Sequence, residues 1–208
     1  MTRDPAAARA AFLEAGAWFA ELVEELRPHH WTRPALGSWD VRALVGHTHR
    51  ALVTLADYLG TPAEEAVCTA TGQYYALSAA ATDPAAVAAR GTAAGQELGR
   101  HPGATVRASL ERARRALARV PVEEDPVIRT VVGGTRLGAY VPTRTFELAV
   151  HGLDVAAACG LDRRPPEAVL ADAGHTAIEI AVPAGRLPEV LLALTGRRGL
   201  PPGFTVLP

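Results

Sequence analysis

Apolar residues recur in this sequence at steps of three and four, and this spacing limits what the chain can fold into. Near the N-terminus the positions are Phe12, Ala15, Phe19, Leu22 and Leu26. Between residues 106 and 120 they are Val106, Leu110, Ala113, Leu117 and Val120. Because an α-helix turns once about every 3.6 residues, each set forms one apolar stripe along a helix. The sequence therefore predicts helices that each bury one face against their neighbours.

The composition agrees with a helical chain and argues against two classes of partner. Alanine supplies 42 of the 208 residues, and all 21 basic residues are arginine, another good helix former. The formal net charge is −1, so we expect no binding to nucleic acid or to a membrane surface. The apolar runs are much shorter than the about 18–20 residues that span a bilayer, and the N-terminus has no apolar signal core. We therefore expect a cytoplasmic protein.

Two helices can be placed in the first third of the chain. The first is predicted over residues 8–27. The second should begin after Asp40, a good N-cap, with Trp39 packing on Leu44 as a hydrophobic staple. It should stop at Gly60, where a C-terminal glycine belongs.

The rest of the chain alternates irregular and regular segments. Residues 61–103 are interrupted by glycine and proline, so short helical pieces joined by loops are expected there. A β-branched run followed by Gly133 and Gly134 predicts a small hairpin. Pro142 suits the first position of a fourth main helix, which should end at Gly160. Two further amphipathic stretches are predicted near residues 166–182 and 187–195.

Glu147 and His151 stand four residues apart in the predicted fourth helix. At this spacing both side chains project from one face and can bind a single cation together. His47, in the predicted second helix, could complete a set of two histidines and one glutamate from two facing helices. Such a set leaves a coordination position open for water or substrate, as catalytic metal sites do.

Spacing alone leaves other interpretations open. A glutamate and a histidine at i and i+4 often form an ordinary surface pair, and His47 could be a core histidine bonded to a backbone carbonyl. Both His47 and His151 lie among apolar residues, however, and a buried imidazole needs a polar partner. That context strengthens the case for metal binding and leaves both ordinary roles open.

The remaining cysteines and histidines are weaker candidates. Cys68 and Cys159 are 91 positions apart and should be buried, reduced thiols. His49 points about 200° away from His47 around a helix and is not expected to be a ligand. His29 and His30 are expected to face solvent.

Two stretches resemble the signatures of a known family. Residues 36–47, Leu-Gly-Ser-Trp-Asp-Val-Arg-Ala-Leu-Val-Gly-His, closely resemble the signature P-G-W-(S/T/D)-V-R-D-x-V-x-H of the mycothiol-dependent maleylpyruvate isomerase group, within the DinB/YfiT-like metal-binding superfamily. Residues 146–155, Phe-Glu-Leu-Ala-Val-His-Gly-Leu-Asp-Val, are similar to its second signature, E-x-x-V-H-G-W-D-L. Residues 191–197 and 203–207 also resemble the C-terminal end of family members of this length.

The resemblance implies an all-α fold, a DinB-like four-helix bundle with a small β-hairpin before the fourth main helix and short C-terminal helices. It further implies a divalent metal, zinc or nickel, bound by His47, Glu147 and His151. Related enzymes use this metal to activate a low-molecular-weight thiol, mycothiol in actinobacteria, for isomerisation or S-transfer. The arginine-only, alanine-rich composition is typical of a high-GC genome and fits an actinobacterial source.

The resemblance also bears on domains and partners. The isomerase itself carries an additional C-terminal domain that contributes to its active site, whereas this sequence ends at Pro208. We therefore expect residues 1–208 to form a single DinB-like metal-binding bundle domain, with no separate C-terminal domain. The expected partners are a small-molecule substrate and a low-molecular-weight thiol, with the chain a monomer or a homodimer.

Two further residues share the helical face of the candidate ligands and are candidate catalytic residues. Asp154, three residues after His151, could orient a ligand or its bound water, or could be an ordinary surface residue at a helix end. Arg144, three residues before Glu147, could bind a substrate carboxylate through two parallel hydrogen bonds. Its alternative role is a structural ion pair with Glu147 or another nearby acid.

Three functions agree with these observations. The leading hypothesis is a divalent-metal-dependent enzyme that activates a thiol, with mycothiol the expected one, for isomerisation or S-transfer on a small electrophile. The first alternative is a hydrolase that uses a metal-bound water, with Asp154 or another acid as the base. The second is a bundle that binds a metal or ligand without catalysis.

Overall fold

A computed structural model of the protein describes residues 3–81 and 83–208. These residues form eight α-helices, one short 3-10 turn at Pro28–His30 and one β-hairpin. The helices are α1 (Pro5–Glu25), α2 (Val41–Tyr58), α3 (Thr71–Ala81), α4 (Pro84–Glu97), α5 (Pro102–Leu117), α6 (Leu137–Cys159), α7 (Glu167–Ala181) and α8 (Leu187–Leu194). The strands are β1 (Val127–Thr130) and β2 (Gly133–Arg136), which pair in antiparallel fashion.

Four of the helices form a ring around the core, which confirms the predicted all-α bundle. Helices α1 and α2 each pack against both α5 and α6. The predicted apolar stripes fill the interior, where Phe12, Phe19 and Leu52 have no exposed surface. The other helices lie outside the ring: α4 packs on α2, α7 packs on α1 and α6, α3 packs on α6 and α7, and α8 packs on α7.

The starts of α1 and α2 follow from capping side chains. The carboxylate of Asp4 accepts hydrogen bonds from two backbone N–H groups in the first turn of α1, which begins and ends slightly earlier than the predicted 8–27. The predicted start of α2 is confirmed, because Asp40 Oδ1 accepts a hydrogen bond from the Ala43 N–H at 2.8 Å, and the helix ends at Tyr58, slightly before Gly60. This cap fixes where α2 begins and therefore which of its residues face the ring.

Residues 61–103 are more regular than expected, because their glycines permit close packing instead of breaking helices. In α4, Gly95 lies directly on Gly46 of α2, where an added Cβ at Gly46 would come within 2.1 Å of the Gly95 nitrogen. In α3, Gly72 lies against the backbone of Glu179 in α7. These contacts are between helices, so local sequence periodicity could not predict them.

The hairpin is present, but its turn differs from the prediction. Val131 and Val132 form the turn, while Gly133 and Gly134 belong to β2. The absence of a side chain at Gly134 allows the strand to approach the carbonyl of Glu65, because an added Cβ would lie 1.9 Å from that oxygen. The glycine pair therefore serves strand packing.

The predicted start of the fourth main helix is wrong. Helix α6 begins at Leu137, directly after β2, and Pro142 lies inside it. The Gly138 N–H donates a hydrogen bond to Asp125 Oδ1 at 2.7 Å, so a preceding loop satisfies a free donor of the first turn. At the other end Gly160 adopts a left-handed φ of 69°, as the sequence predicts.

The structure bears on two further expectations, one about the cysteines and one about membrane-spanning segments. Cys68 and Cys159 are both free and buried, as predicted. In the part of the chain that the structure describes, no helix combines the length and the apolar content needed to cross a membrane.

Candidate metal centre

The packing of α2 against α6 brings His47, Glu147 and His151 together at the side of the bundle core. Glu147 Oε2 lies 3.3 Å from His151 Nε2 and 3.8 Å from His47 Nε2. One ligand atom from each residue lies within 4.8 Å of the others. All three side chains are about one-fifth exposed, which places them at the wall of a cavity.

The three residues fit a divalent metal in both chemistry and spacing. Two imidazole nitrogens and one carboxylate oxygen are a donor set that zinc uses in catalytic sites. A tetrahedral ion with bonds of about 2.0–2.1 Å places neighbouring ligand atoms about 3.3 Å apart. Two of the three separations, 3.3 and 3.8 Å, are close to that value, and all three ligand atoms lie within 4.8 Å of one another, so side-chain movements would bring them onto one ion.

Asp154 orients one of these ligands. His151 Nδ1–H donates a hydrogen bond to Asp154 Oδ2 at 3.1 Å, which leaves Nε2 free to face Glu147. Burial disfavours the charged form of His151, but the hydrogen bonds to Asp154 and Glu147 outweigh it and raise its pKa to about 9. Partial burial also disfavours the charged form of Glu147, yet its contacts with His151 and His47 hold its pKa well below the ordinary value.

Tyr75 contacts the other oxygen of Glu147, a contact that the sequence does not predict. Its hydroxyl donates a hydrogen bond to Glu147 Oε1 at 3.1 Å. Burial, followed by the negative charge of Glu147, raises the pKa of Tyr75 well above its usual value, so the hydroxyl remains a donor. Tyr75 thereby holds Oε1 and leaves Oε2 toward the two histidines.

Trp39 packs on the remaining ligand. The sequence assigned it to a staple with Leu44, but its ring lies 4.6 Å from the His47 ring, centre to centre. Its indole N–H donates to the Ala88 carbonyl of α4 at 2.9 Å, and Gly91 leaves room for the ring. Trp39 therefore packs on the ring of His47, a contact that the predicted staple does not include.

Arg144 lies beside the ligand group and lines the same cavity of about 320 Å³. Its guanidinium carbon lies 4.8 Å from the centre of the Tyr140 ring and 5.6 Å from that of Tyr74. Burial opposes its charge, but the surrounding tyrosines and Glu147 hold its pKa above the ordinary value. No ion pair joins Arg144 to a carboxylate among the described residues, so the structural ion pair that the sequence left open is not formed.

The other histidines do not join the site. His49 faces α5, where its Nε2 lies 2.7 Å from Ser109 Oγ, as expected for a residue on the other side of α2. His30 is buried, which corrects the prediction that it faces solvent. His175 is exposed on α7. The described part of the chain therefore offers one group of possible metal ligands, formed by the three residues that the sequence indicated.

The fold and the ligand group together define an all-α bundle with a candidate metal site between two of its helices. Comparison with known families gives a more particular assignment. The sequence model of the mycothiol maleylpyruvate isomerase N-terminal domain matches residues 3–156, and the chain belongs to this family. The matched region contains all the residues of the candidate metal centre. Comparisons with curated proteins and with solved structures found no match.

Proposed function

We propose that the protein is a divalent-metal-dependent enzyme that binds a low-molecular-weight thiol, mycothiol, and uses it for isomerisation or S-transfer on a small electrophile. The observation that carries this proposal is the position of the ligand group. His47, Glu147 and His151 converge within 4.8 Å at the wall of a cavity, so a metal held there would keep a side open to small molecules. The family assignment supports mycothiol as the thiol.

In this proposal His47 Nε2, Glu147 Oε2 and His151 Nε2 hold the metal. A bound divalent metal would favour the thiolate over the thiol at neutral pH, and the thiolate is the reactive nucleophile. Asp154 fixes the orientation of His151 through its hydrogen bond at 3.1 Å. Asp154 is thus a positioning residue, and Arg144 is the candidate for contact with substrate.

The arrangement of acids favours thiol activation over hydrolysis. A hydrolase would need a base close to the attacking water. Asp154 is engaged by His151, and Glu147 is the one carboxylate side chain among the described residues that line the cavity. Because Glu147 is assigned to the metal, no second acidic side chain of the described residues lines the cavity where it could act on a water.

Metal analysis tests the ligand assignment. Wild-type protein purified without chelator is expected to contain close to one equivalent of divalent metal, whereas His47→Ala and His151→Ala should contain little. His175→Ala is a matched control, because this histidine is exposed on α7. Equal metal content in all four proteins would overturn the assignment.

A cobalt titration separates thiol chemistry from a bundle that binds metal without binding thiol. Cobalt-substituted protein is expected to develop a sulfur-to-metal charge-transfer band when mycothiol is added, because the thiolate would enter the open position. The S-methyl derivative of mycothiol is the control, since it cannot form a thiolate. An unchanged spectrum at millimolar mycothiol would contradict the proposed thiol role.

A further inference from the structure

A second cavity is separated from the candidate metal centre by α3 and the first turns of α6. Its volume is about 800 Å³, more than twice that of the cavity at the metal centre, and none of the described residues lines both. Adjacent residues face opposite ways: Gln73 and Ala139 line the second cavity, whereas Tyr74 and Tyr140 line the first. The second cavity is therefore a distinct space, which the proposed reaction does not use.

The wall of the second cavity is largely apolar. Ala8, Ala139 and Val141 contribute buried surface to it. Val122 and Val182 also line it, but they are 45% and 56% exposed. Apolar side chains left in contact with water beside a cavity are typical of ligand-binding surfaces. A volume of about 800 Å³ is also in the range of cavities that bind small organic molecules.

The two arginines that line this cavity are engaged by the fold. Arg3 forms ion pairs with two acids, at 2.7 and 3.3 Å. Arg9 donates hydrogen bonds to three backbone carbonyls between residues 120 and 124, at 2.6, 3.1 and 3.3 Å. These contacts tie α1 to α7 and to the loop before β1, so the walls are held in place without a ligand. Both guanidinium groups thus serve the fold.

Two acidic side chains at the cavity are unpaired. Glu123 and Glu124 are exposed in the loop before β1, and neither carboxylate forms a hydrogen bond or ion pair with a described residue. Of the described charged side chains that line the cavity, four are acidic and two are basic. An excess of negative charge beside an apolar wall attracts a cation and repels an anion.

We propose that the second cavity is a binding site for a small organic cation, a molecule with an apolar body and a protonated amine. The apolar body would lie against the alanine and valine side chains of the wall, and the amine would pair with Glu123 and Glu124. Charge complementarity determines the class of ligand, because an anion would meet unpaired carboxylates and arginines that the fold already engages. The inference does not depend on the proposed function.

Dansylcadaverine tests this inference, because it joins a fluorescent apolar group to a primary amine through an alkyl chain. Its emission moves to shorter wavelength when the dansyl group enters an apolar site. The N-acetyl derivative is the neutral match, and dansyl-6-aminohexanoate is the anionic one. We expect the protein to bind the amine most tightly and the acid least. Absence of amine binding up to about 1 mM, or equal affinity for all the probes, would overturn the proposal.

Charge variants test the role of the unpaired acids. The double variant Glu123→Gln and Glu124→Gln should bind dansylcadaverine about three- to tenfold more weakly, since exposed ion pairs each contribute little, and should bind the N-acetyl derivative as wild type does. The matched control is Glu64→Gln with Glu65→Gln, an adjacent pair of exposed acids that lines neither cavity. Equal losses in the two double variants would contradict the assigned pairing.

A bulky substitution tests the apolar part of the site. Ala76 is exposed on α3 and lines the second cavity, so Ala76→Trp places an indole there without replacing a core residue. This variant should lose binding of the amine and of its N-acetyl derivative. Ala80→Trp, at an exposed position of the same helix that lines neither cavity, should bind as wild type does. Wild-type affinity in Ala76→Trp would place the probe elsewhere and overturn the proposal.

Titrations with and without zinc separate this inference from the proposed function. Stripping zinc should leave the affinity for dansylcadaverine unchanged, with circular dichroism used to verify that the stripped protein is folded. Loss of probe binding in the folded, stripped protein would place the probe at the metal centre, contradicting the cation site and leaving the metal assignment standing. Probe binding by a protein that takes up no zinc would do the reverse.

Discussion

Tyr75 connects α3, outside the four-helix ring, to the carboxylate of Glu147. Its hydroxyl holds Oε1 at 3.1 Å, so the orientation of Oε2 toward the histidines depends on it. Tyr75→Phe removes this hydrogen bond, together with a longer contact of 3.4 Å to the Thr143 carbonyl of α6, and keeps the aromatic side chain. We expect zinc affinity to fall about 10- to 100-fold, as is usual when a partner that orients a ligand is lost. Competition with a chromophoric zinc chelator measures the change.

Tyr74→Phe provides the control for this prediction. Tyr74 is the neighbouring residue and is 5% exposed, but its hydroxyl makes no hydrogen bond to a described residue. Its zinc affinity should therefore match that of wild type. Equal zinc affinity in Tyr75→Phe and wild type would show that Glu147 is oriented without Tyr75.

The residues of the candidate ligand group were predictable from the sequence, whereas the residues that orient them were only partly so. A spacing of four places Glu147 and His151 on one helical face whatever surrounds the helix. Asp154 follows from the same rule, because it lies three residues after His151. Tyr75 and Trp39 reach the site from other segments of the chain. Their contacts depend on how α3 and α4 pack, and the spacing of residues along the sequence does not determine that packing.

The burial of His30 makes the stability of the folded chain depend on pH. It is 6% exposed, and its Nδ1 accepts a hydrogen bond from the Arg27 backbone N–H at 3.1 Å. Burial, followed by the positive charges of His29 and Arg33, lowers the pKa of His30 below 6.5. The unfolded chain then binds a proton more readily than the folded chain, so the stability contribution of His30 is lost as pH falls below about 6.5.

A pH comparison tests this expectation. His30→Asn keeps an acceptor for the Arg27 N–H but cannot be protonated. Between pH 7.5 and 5.5, wild type should lose more free energy of unfolding than His30→Asn loses, as measured by urea denaturation of both proteins without metal. Groups that do not contact residue 30 contribute equally in both proteins and cancel in the difference. Parallel pH dependence in the two would contradict the assigned pKa shift.

At the scale of helices, close packing through glycine places α4 against α2. Gly46 and Gly95 let the two backbones touch, and α4 in turn supplies the carbonyl that holds the Trp39 indole at 2.9 Å. Through this hydrogen bond, the outer helix α4 holds the Trp39 indole, which packs on the imidazole of His47. From the sequence alone, these glycines predict interruptions in a helix. The sequence does not show that Gly46 and Gly95 contact each other, so the close packing of α2 on α4 could not be predicted.

Two glycine substitutions should have opposite effects on stability. Gly46→Ala places a Cβ within 2.1 Å of the Gly95 nitrogen, and the helices can relieve this overlap only by separating. We expect a loss of at least about 2–3 kcal/mol in the free energy of unfolding. Gly174→Ala, at an exposed position of α7 with nothing within 4 Å, should gain about 0.5–1 kcal/mol because alanine favours helix.

Urea denaturation of the two variants beside wild type measures both effects. A Gly46→Ala protein as stable as wild type would show that α4 is not held tightly on α2. The opposite signs matter, because a general effect of replacing glycine by alanine would move both variants in the same direction.

Pro142 shows why the start of α6 could not be predicted from the local sequence. As a first-turn residue it would start a helix, but α6 extends five residues further toward the hairpin. The Asp125 carboxylate and the adjoining β2 strand stabilise that extra turn from outside the helix. The length of α6 is therefore set by its connection to the hairpin, whereas its end at Gly160 is set locally by the left-handed glycine.

At the scale of the whole molecule, the candidate metal centre joins two helices of the ring and is supported by two helices outside it. His47 belongs to α2, and Glu147 and His151 belong to α6, so one ion would bridge the two helices. Trp39 and Tyr75 transmit the packing of α4 and α3 to these ligands. Metal binding and the stability of the bundle are therefore expected to be coupled.

That coupling gives a prediction for metal removal. A ligand that binds only the folded chain stabilises it by about 2.7 kcal/mol at a free concentration one hundred times its Kd. For a chain of this size, this corresponds to an increase of about 5–10 °C in Tm. We expect stripped wild-type protein to gain this amount when zinc is restored, and His151→Ala to gain little, whereas His175→Ala should respond as wild type does. A similar zinc-dependent increase in His151→Ala would mean that zinc stabilises the bundle from somewhere other than the contact between α2 and α6.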